Sequence, residues 1–140
     1  LFKKKNKSIK IIKANGNFNN FDIEDFAEAQ FSINDEITAR IKVSFRDNFE
    51  NKITIIGDSG SIIDDSPWQP EKKSYIEIQK KEEYYKKIID CDKNVYANQI
   101  NLISKAINRK ELSMSYPAMN INDSLEISRI LTEWRELINI

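Results

Sequence analysis

Between Ile37 and Arg46 apolar and polar residues alternate without interruption. Ile37, Ala39, Ile41, Val43 and Phe45 oppose Thr38, Arg40, Lys42, Ser44 and Arg46. A period of two is the mark of a strand with one buried face. The preceding stretch, FDIEDFAEAQFSI (21–33), alternates as well. Phe21, Ile23, Ala27, Ala29, Phe31 and Ile33 share a face, and Asp25 intrudes on it. Asn34-Asp35-Glu36 joins the two as a hairpin. Pairing Ile33 with Ile37 sets Phe31 opposite Ala39 and Ala29 opposite Ile41. On the polar face the same register sets Glu28 against Lys42 and Glu24 against Arg46. Such opposite-charge pairs contribute a few tenths of a kcal/mol to about 1 each, and a one-residue slip would invert every side chain.

Other segments extend the meander. KSIKIIKA (7–14) is β-rich, and the Asn-rich NGNFNN after it reads as a loop. NKITII (51–56) and SIIDD (61–65) form a hairpin around GDSG. SYIEIQ (74–79) and EYYKKII (83–89) form another, turning near Lys80-Lys81-Glu82. The pattern then changes to a helical period. From Val95 to about Asn108, Tyr96, Ile100, Ile103 and Ile107 make one stripe, read as the face that packs on the core. In the last helix Leu125, Ile127, Ile130, Leu131, Trp134, Leu137 and Ile138 form a broad apolar face, and Asp123 with Glu126 fits a capping box. Strands first and helices after predict an α+β domain over 1–140. It comprises a mostly antiparallel six- or seven-stranded meander sheet with two C-terminal helices packed on one face.

Composition narrows the function classes. At 140 residues the chain has single-domain length. Its formal net charge of zero provides no global attraction for nucleic acid or an acidic membrane surface. Apolar runs are far too short to span a bilayer. One cysteine, Cys91, rules out an internal disulfide and fits a reducing, cytoplasmic setting. Histidine is absent, which removes the commonest general base and metal ligand. The three glycines cannot make a phosphate loop.

Candidate chemistry thins out under the same constraints. GDSG at 57–60 resembles the setting of a nucleophilic serine, but Ser59 has no histidine to serve as base and no Ser-x-x-Lys spacing. Gly60 fits the left-handed position that closes a hairpin loop. Asp64-Asp65 and Asp90-Cys91-Asp92 lack the spacing of a calcium loop. Cys91 has no visible activator. KKKNK at 3–7, without interleaved aromatics, reads as a solvated end. No residue is assigned a catalytic, cofactor-binding or metal role.

A resemblance adds what these patterns do not carry. DFAEAQFSINDEITARIKVSFR, NKITIIGDSGSIIDDSPWQP, NVYANQINLISKAI and YPAMNINDSLEISRILTEWREL, in that order, resemble the C-terminal half of the glucose–fructose oxidoreductase/inositol dehydrogenase/MocA family, most closely its dihydrodiol-dehydrogenase-like members. The resemblance spans about Ile9 to Ile138 and rests on the order of elements. It implies a parent enzyme whose N-terminal Rossmann domain binds NAD or NADP and which transfers hydride on sugars, polyols or related hydroxy compounds. The family's Gly-rich fingerprint, its Glu-Lys-Pro segment and its Asp-x-x-x-His helix have no counterpart here and are expected upstream of Leu1. The chain is therefore expected to be a fragment that is silent alone, contributing a substrate-cleft wall and a subunit interface. Tyr96, Arg46 and Trp68 are the cleft candidates. The polar sheet face with Arg40, Lys42, Arg46, Glu24, Glu28 and Gln30 is the candidate homo-oligomer contact. The competing reading is a free-standing α+β interaction module with no enzymatic role.

Overall fold

The computed structural model describes residues 8–92, 94–114, 116 and 118–138; the basic run at 3–7 lies outside them. Among the described residues, seven antiparallel strands in two sheets and two helices make an α+β architecture. The strands are β1 (Ile9–Phe18), β2 (Glu24–Ile33), β3 (Ile37–Ser44), β4 (Ile53–Gly57), β5 (Gly60–Asp64), β6 (Lys73–Lys80) and β7 (Glu83–Asp90). The helices are α1 (Val95–Asn108) and α2 (Ile121–Ile138). Hydrogen bonding joins β1-β2-β3 in one sheet and β4-β5-β6-β7 in another. The chain divides accordingly into two units. One is built from β1–β3 with α2, the other from β4–β7 with α1.

In the first unit the β2–β3 register is the one the alternation predicts. Ile33 faces Ile37, Phe31 faces Ala39, Ala29 faces Ile41 and Glu28 faces Lys42. Asn34 and Asp35 take the left-handed conformation that Asn and Asp tolerate best. The expected Glu24–Arg46 pair does not form. β3 ends at Ser44, and a β-bulge on the β1 side leaves Asp25 out of the ladder. Arg46 then meets Asp25 at 3.7 Å, and Glu24 meets Arg135 of α2 at 3.0 Å.

The Asn-rich segment also differs from its reading as a loop. β1 runs through Asn15, Gly16 and Asn17 to Phe18 because β2 supplies ladder partners at each position, which outweighs the weak strand preference of these residues. A second bulge at Ile12 changes the parity of β1. Ile9 and Ile11 precede it on the core side, and Ala14 and Gly16 follow it there. That change explains why KSIKIIKA shows no clean alternation. Gly16 is fitted to its place: a Cβ there would stand 2.8 Å from the Ile138 side chain and 2.7 Å from the Phe26 carbonyl oxygen. Phe21 and Ile23, expected on the core face, instead belong to a turn. Asn19 Oδ1 accepts from Phe21 N at 2.8 Å and Ile23 N at 3.2 Å, and Asp22 has φ 57°.

The core of this unit is small. Ala27, Ala29 and Phe31 of β2 are buried beneath Trp134 of α2, with Ile9, Ile11, Ala14, Ala39, Ile130 and Ile138 around them. The Phe31 and Trp134 rings meet edge to face with centroids 5.6 Å apart. The helix begins at Ile121, two residues before the expected cap, so Asp123 lies inside the first turn, where a negative charge favours the helix dipole.

In the second unit β4 and β5 turn over Asp58-Ser59, with Gly57 paired to Gly60. Gly60 has φ +146°, and a Cβ there would meet the Gln79 carbonyl oxygen of β6, so the position requires glycine on both counts. α1 is capped by Asn94, whose Oδ1 accepts from Ala97 N at 2.8 Å. The stripe expected to pack inward does not. Tyr96, Ile100, Ile103 and Ile107 are all more than half exposed. The half-buried or buried apolar positions are Val95, Ala97, Leu102 and Ala106; of these Val95, Leu102 and Ala106, spaced i, i+7 and i+11, share a different face. A helical period identifies a face but not the side to which the rest of the chain applies it.

The first unit thus depends on one ring. Replacing Trp134 by alanine is expected to cost about 3–5 kcal/mol in chemical denaturation. Trp134→Phe should cost clearly less, because the indole Nε1 is buried without a hydrogen-bond partner and its loss removes an unsatisfied donor. Equal losses for the two variants would contradict this account.

Candidate functional site

An open groove of about 420 Å3 runs between α2 and β3 in the first unit. Ala27, Val43, Phe45, Leu131, Trp134 and Ile138 supply its apolar lining, and Glu24, Thr132 and Arg135 its polar part. The strand pattern explains the lining, since Val43 and Phe45 continue the inward row of β3 beyond the reach of α2. Arg135 closes the polar end. Its guanidinium holds Glu24 Oε1 at 3.0 Å and Asp22 Oδ2 at 3.2 Å, donates to the Asp22 carbonyl oxygen at 3.0 Å, and lies 5.5 Å from the Phe18 ring. This cluster ties α2 to the β1–β2 turn. With its charges matched internally, the groove has no free nucleophile–base pair and is suited to an apolar or weakly polar occupant.

On the opposite, polar face of the same sheet, Glu28 accepts from Arg40 Nε at 2.6 Å and lies 3.4 Å from Lys42 Nζ. Phe49 folds against Phe26 on this side, with Lys42 6.0 Å from its ring centre. The hydrogen bond from Arg40, seconded by Lys42, holds the Glu28 carboxyl below its ordinary value of 4.5 against the opposing effect of partial burial. In the second unit Lys86 Nζ stands 2.8 Å from Glu77 Oε1 and 4.2 Å from the Tyr75 ring centre. The hydrogen bond from Lys86 lowers Glu77 and raises Lys86 in turn. Desolvation is the first cause that raises Tyr84, followed by its bond to Glu77.

The three cleft candidates fall in both units. Arg46 is in the first, held by Asp25 at 3.7 Å and Asp47 at 3.6 Å. Both contacts are longer than a hydrogen bond, so its donors are less committed than those of Arg40 or Arg135. Trp68 and Tyr96 are in the second unit and both are exposed. Trp68 sits in a loop that Ser66 closes: its N–H donates to Asp64 Oδ1 at 3.0 Å and its hydroxyl to the Gln69 carbonyl oxygen at 3.1 Å. Asp64 therefore serves as a turn acceptor, and Asp65 lies 3.7 Å from Lys52. Asp90, Cys91 and Asp92 line an open hollow with Asn98 and Asn101 near the start of α1. Among the described residues no three His, Cys, Asp or Glu side chains gather as metal ligands. Ser59 is exposed at the turn tip, without a side-chain partner among them. The groove itself was missed by sequence reasoning. β3 carries as many inward apolar residues as β2, but the sequence reading placed two helices over one sheet, whereas only α2 belongs to the unit of β1–β3.

No family model matches the sequence, and no curated protein does. Solved structures do. The chain is similar to KijD10, a 3-ketoreductase from Actinomadura kijaniata in complex with TDP-benzene and NADP. In the open conformation the TM-score is 0.67 at 13% identity, covering 74% of this chain and 33% of that one. In a point mutant of the same enzyme with the same ligands it is 0.79 at 14% identity, covering 91% and 40%. The likeness is one of fold. The chain spans well under half the length of either structure.

The Glu28 pairing makes a pH-dependent contribution with a definite sign. A carboxyl lowered on folding adds stability that is complete above its unfolded value and is lost as pH falls through the folded one. In Glu28→Gln, the deficit in unfolding free energy relative to the parent is expected to be constant above about pH 5 and to shrink below 4.5. A deficit that instead grows on acidification would refute the assignment.

Proposed function

We propose that the chain is the substrate-side domain of an NAD(P)-dependent oxidoreductase acting on a sugar, a polyol or a related hydroxy compound. The observation that carries this reading is the fold match at TM-score 0.79 over 91% of the chain to an NADP-bound 3-ketoreductase of which it spans 40%. The partner in this reading is a nucleotide-binding Rossmann domain in the same polypeptide, which would supply the cofactor site and the catalytic residues. The chain then contributes walls and contacts. Arg46 offers guanidinium donors to substrate oxygens, Tyr96 a hydroxyl at a helix start, and Trp68 an exposed aromatic face in a loop pinned by Ser66. The same reading treats the chain as one domain of a homo-oligomeric enzyme, self-associating through the polar face of the three-stranded sheet, where Arg40 and Lys42 share the Glu28 carboxylate and leave one positive charge in excess.

Calorimetric titration separates this proposal from a free-standing interaction module. NADH or NADPH added to the 140-residue chain is expected to give no stoichiometric binding. The product of the whole reading frame should bind one of them at micromolar or tighter affinity, about −8 kcal/mol. Tight binding by the short chain would defeat the proposal. So would a reading-frame product that binds neither nucleotide.

A further inference from the structure

Among the described residues the two sheets end in open strand edges, β1 and β3 in the first unit and β4 and β7 in the second. An open edge is a row of unpaired backbone N–H and C=O groups, and proteins guard it with bulges, short strands or like charges. β1 is interrupted by two bulges. β3 carries only basic charges, Arg40 and Lys42, which a two-fold pairing about its middle would set against each other. β4 is short, five residues without a charge. β7 has none of these guards. Its eight residues pair with β6 in one unbroken register, and all of them are exposed. It carries both signs of charge, and Glu83 and Lys87 have no ion partner among the described residues.

We propose that β7 is a self-association edge, on which a second copy of this chain adds its own β7 antiparallel about a two-fold axis at Tyr85. Backbone parity and charge select that register. Cys91 N donates at 2.8 Å to the carbonyl oxygen of Lys72, directly opposite, so the odd residues of β7 bond to β6. The N–H and C=O groups of Tyr84 and Lys86 therefore point outward. With Tyr85 on the axis, Tyr84 exchanges both hydrogen bonds with Lys86 of the second copy. The closer, non-hydrogen-bonded pairs are then Tyr85 with Tyr85 and Glu83 with Lys87, so the two uncommitted charges meet their opposites, twice by symmetry. An axis at Lys86 or Lys87 brings two ammonium groups together instead. An axis at Ile88 sets Lys86 against Asp90, yet Lys86 is already held by Glu77 at 2.8 Å. The paired stretch is short, so the contact falls below the roughly 1,200 Å2 of stable complexes and the association is weak and reversible. It uses only the second unit and does not rest on the oxidoreductase reading.

Disulfide trapping in the 140-residue chain tests this, with Cys91→Ser removing the native thiol. Under oxidised glutathione, Tyr85→Cys should give at least about ten times more covalent dimer than Ile88→Cys. In the proposed register two residues 85 lie about 4.5 Å apart and can be bridged, whereas two residues 88 lie roughly 20 Å apart and cannot. Sedimentation of charge variants gives a second measurement. Glu83→Lys and Lys87→Glu should each stay monomeric at concentrations where the parent self-associates. Their equimolar mixture should recover the association, because each chain then offers the charges the other lacks. Equal trapping at the two cysteine positions overturns the proposal, and so does a parent that stays monomeric up to about 1 mM. Association that both charge variants leave unchanged also overturns it, and assigns the contact to another surface, such as the polar face of the first sheet. Neither measurement involves nucleotide, so failure of this edge and failure of the oxidoreductase reading are separate results.

Discussion

The contact between Trp134 and the small-residue row of β2 is the constraint on which the first unit depends. Ala27 and Ala29 keep the sheet surface low enough for an indole ring to lie on it, and Phe31 meets that ring edge to face. Gly16 extends the low surface into β1, where Ile138 comes down. Remove the ring and the helix keeps only peripheral contacts. The exposed ion pairs around it, such as Arg129–Glu133 and Lys10–Asp35, contribute about 1 kcal/mol or less each. They tune the surface rather than hold the helix to the sheet. Arg135 stands apart from them, because its hydrogen bonds to Asp22 and Glu24 fix where the helix meets the β1–β2 turn.

The same packing creates the groove. A helix anchored over β1 and β2 reaches β3 at Ala39 and leaves Ile41, Val43 and Phe45 of the same apolar row open. The first unit carries an open apolar groove, the second an exposed apolar stripe on α1, and both sheets carry ion pairs between neighbouring strands. The likeness to a ketoreductase of more than twice this chain's length is one of fold.

Much of the fold was legible in the residues. The β2–β3 register followed from alternation, since only one pairing puts both apolar rows on one face, and α1 was bounded correctly from its period. What misled was local. Phe21 and Ile23 continue the alternation of β2 in sequence, yet Asn19 draws their amides into a turn. Glu24 and Arg46 look complementary, yet the bulge at Asp25 shifts both to other partners. A bulge adds one residue without changing composition, so no sequence period records it. The cleft candidates were the least legible. Tyr96, Arg46 and Trp68 came from a resemblance, and the structure shows only that two are exposed and the third is loosely held.

By itself the sequence determined the element types, their order and which residues can share a face, because periods of 2 and 3.6 are set by backbone geometry alone. It also determined that no histidine-based chemistry operates in this chain. Only the tertiary structure decided which apolar face is used. On α1 the interior took Val95, Leu102 and Ala106 and left the stronger stripe to solvent. On the first sheet it took β1 and β2 and left most of the β3 row. Hydrophobic burial has no direction of its own, so the choice among competing apolar faces falls to shape: where a glycine lets a helix descend, and how many strands one helix can cover.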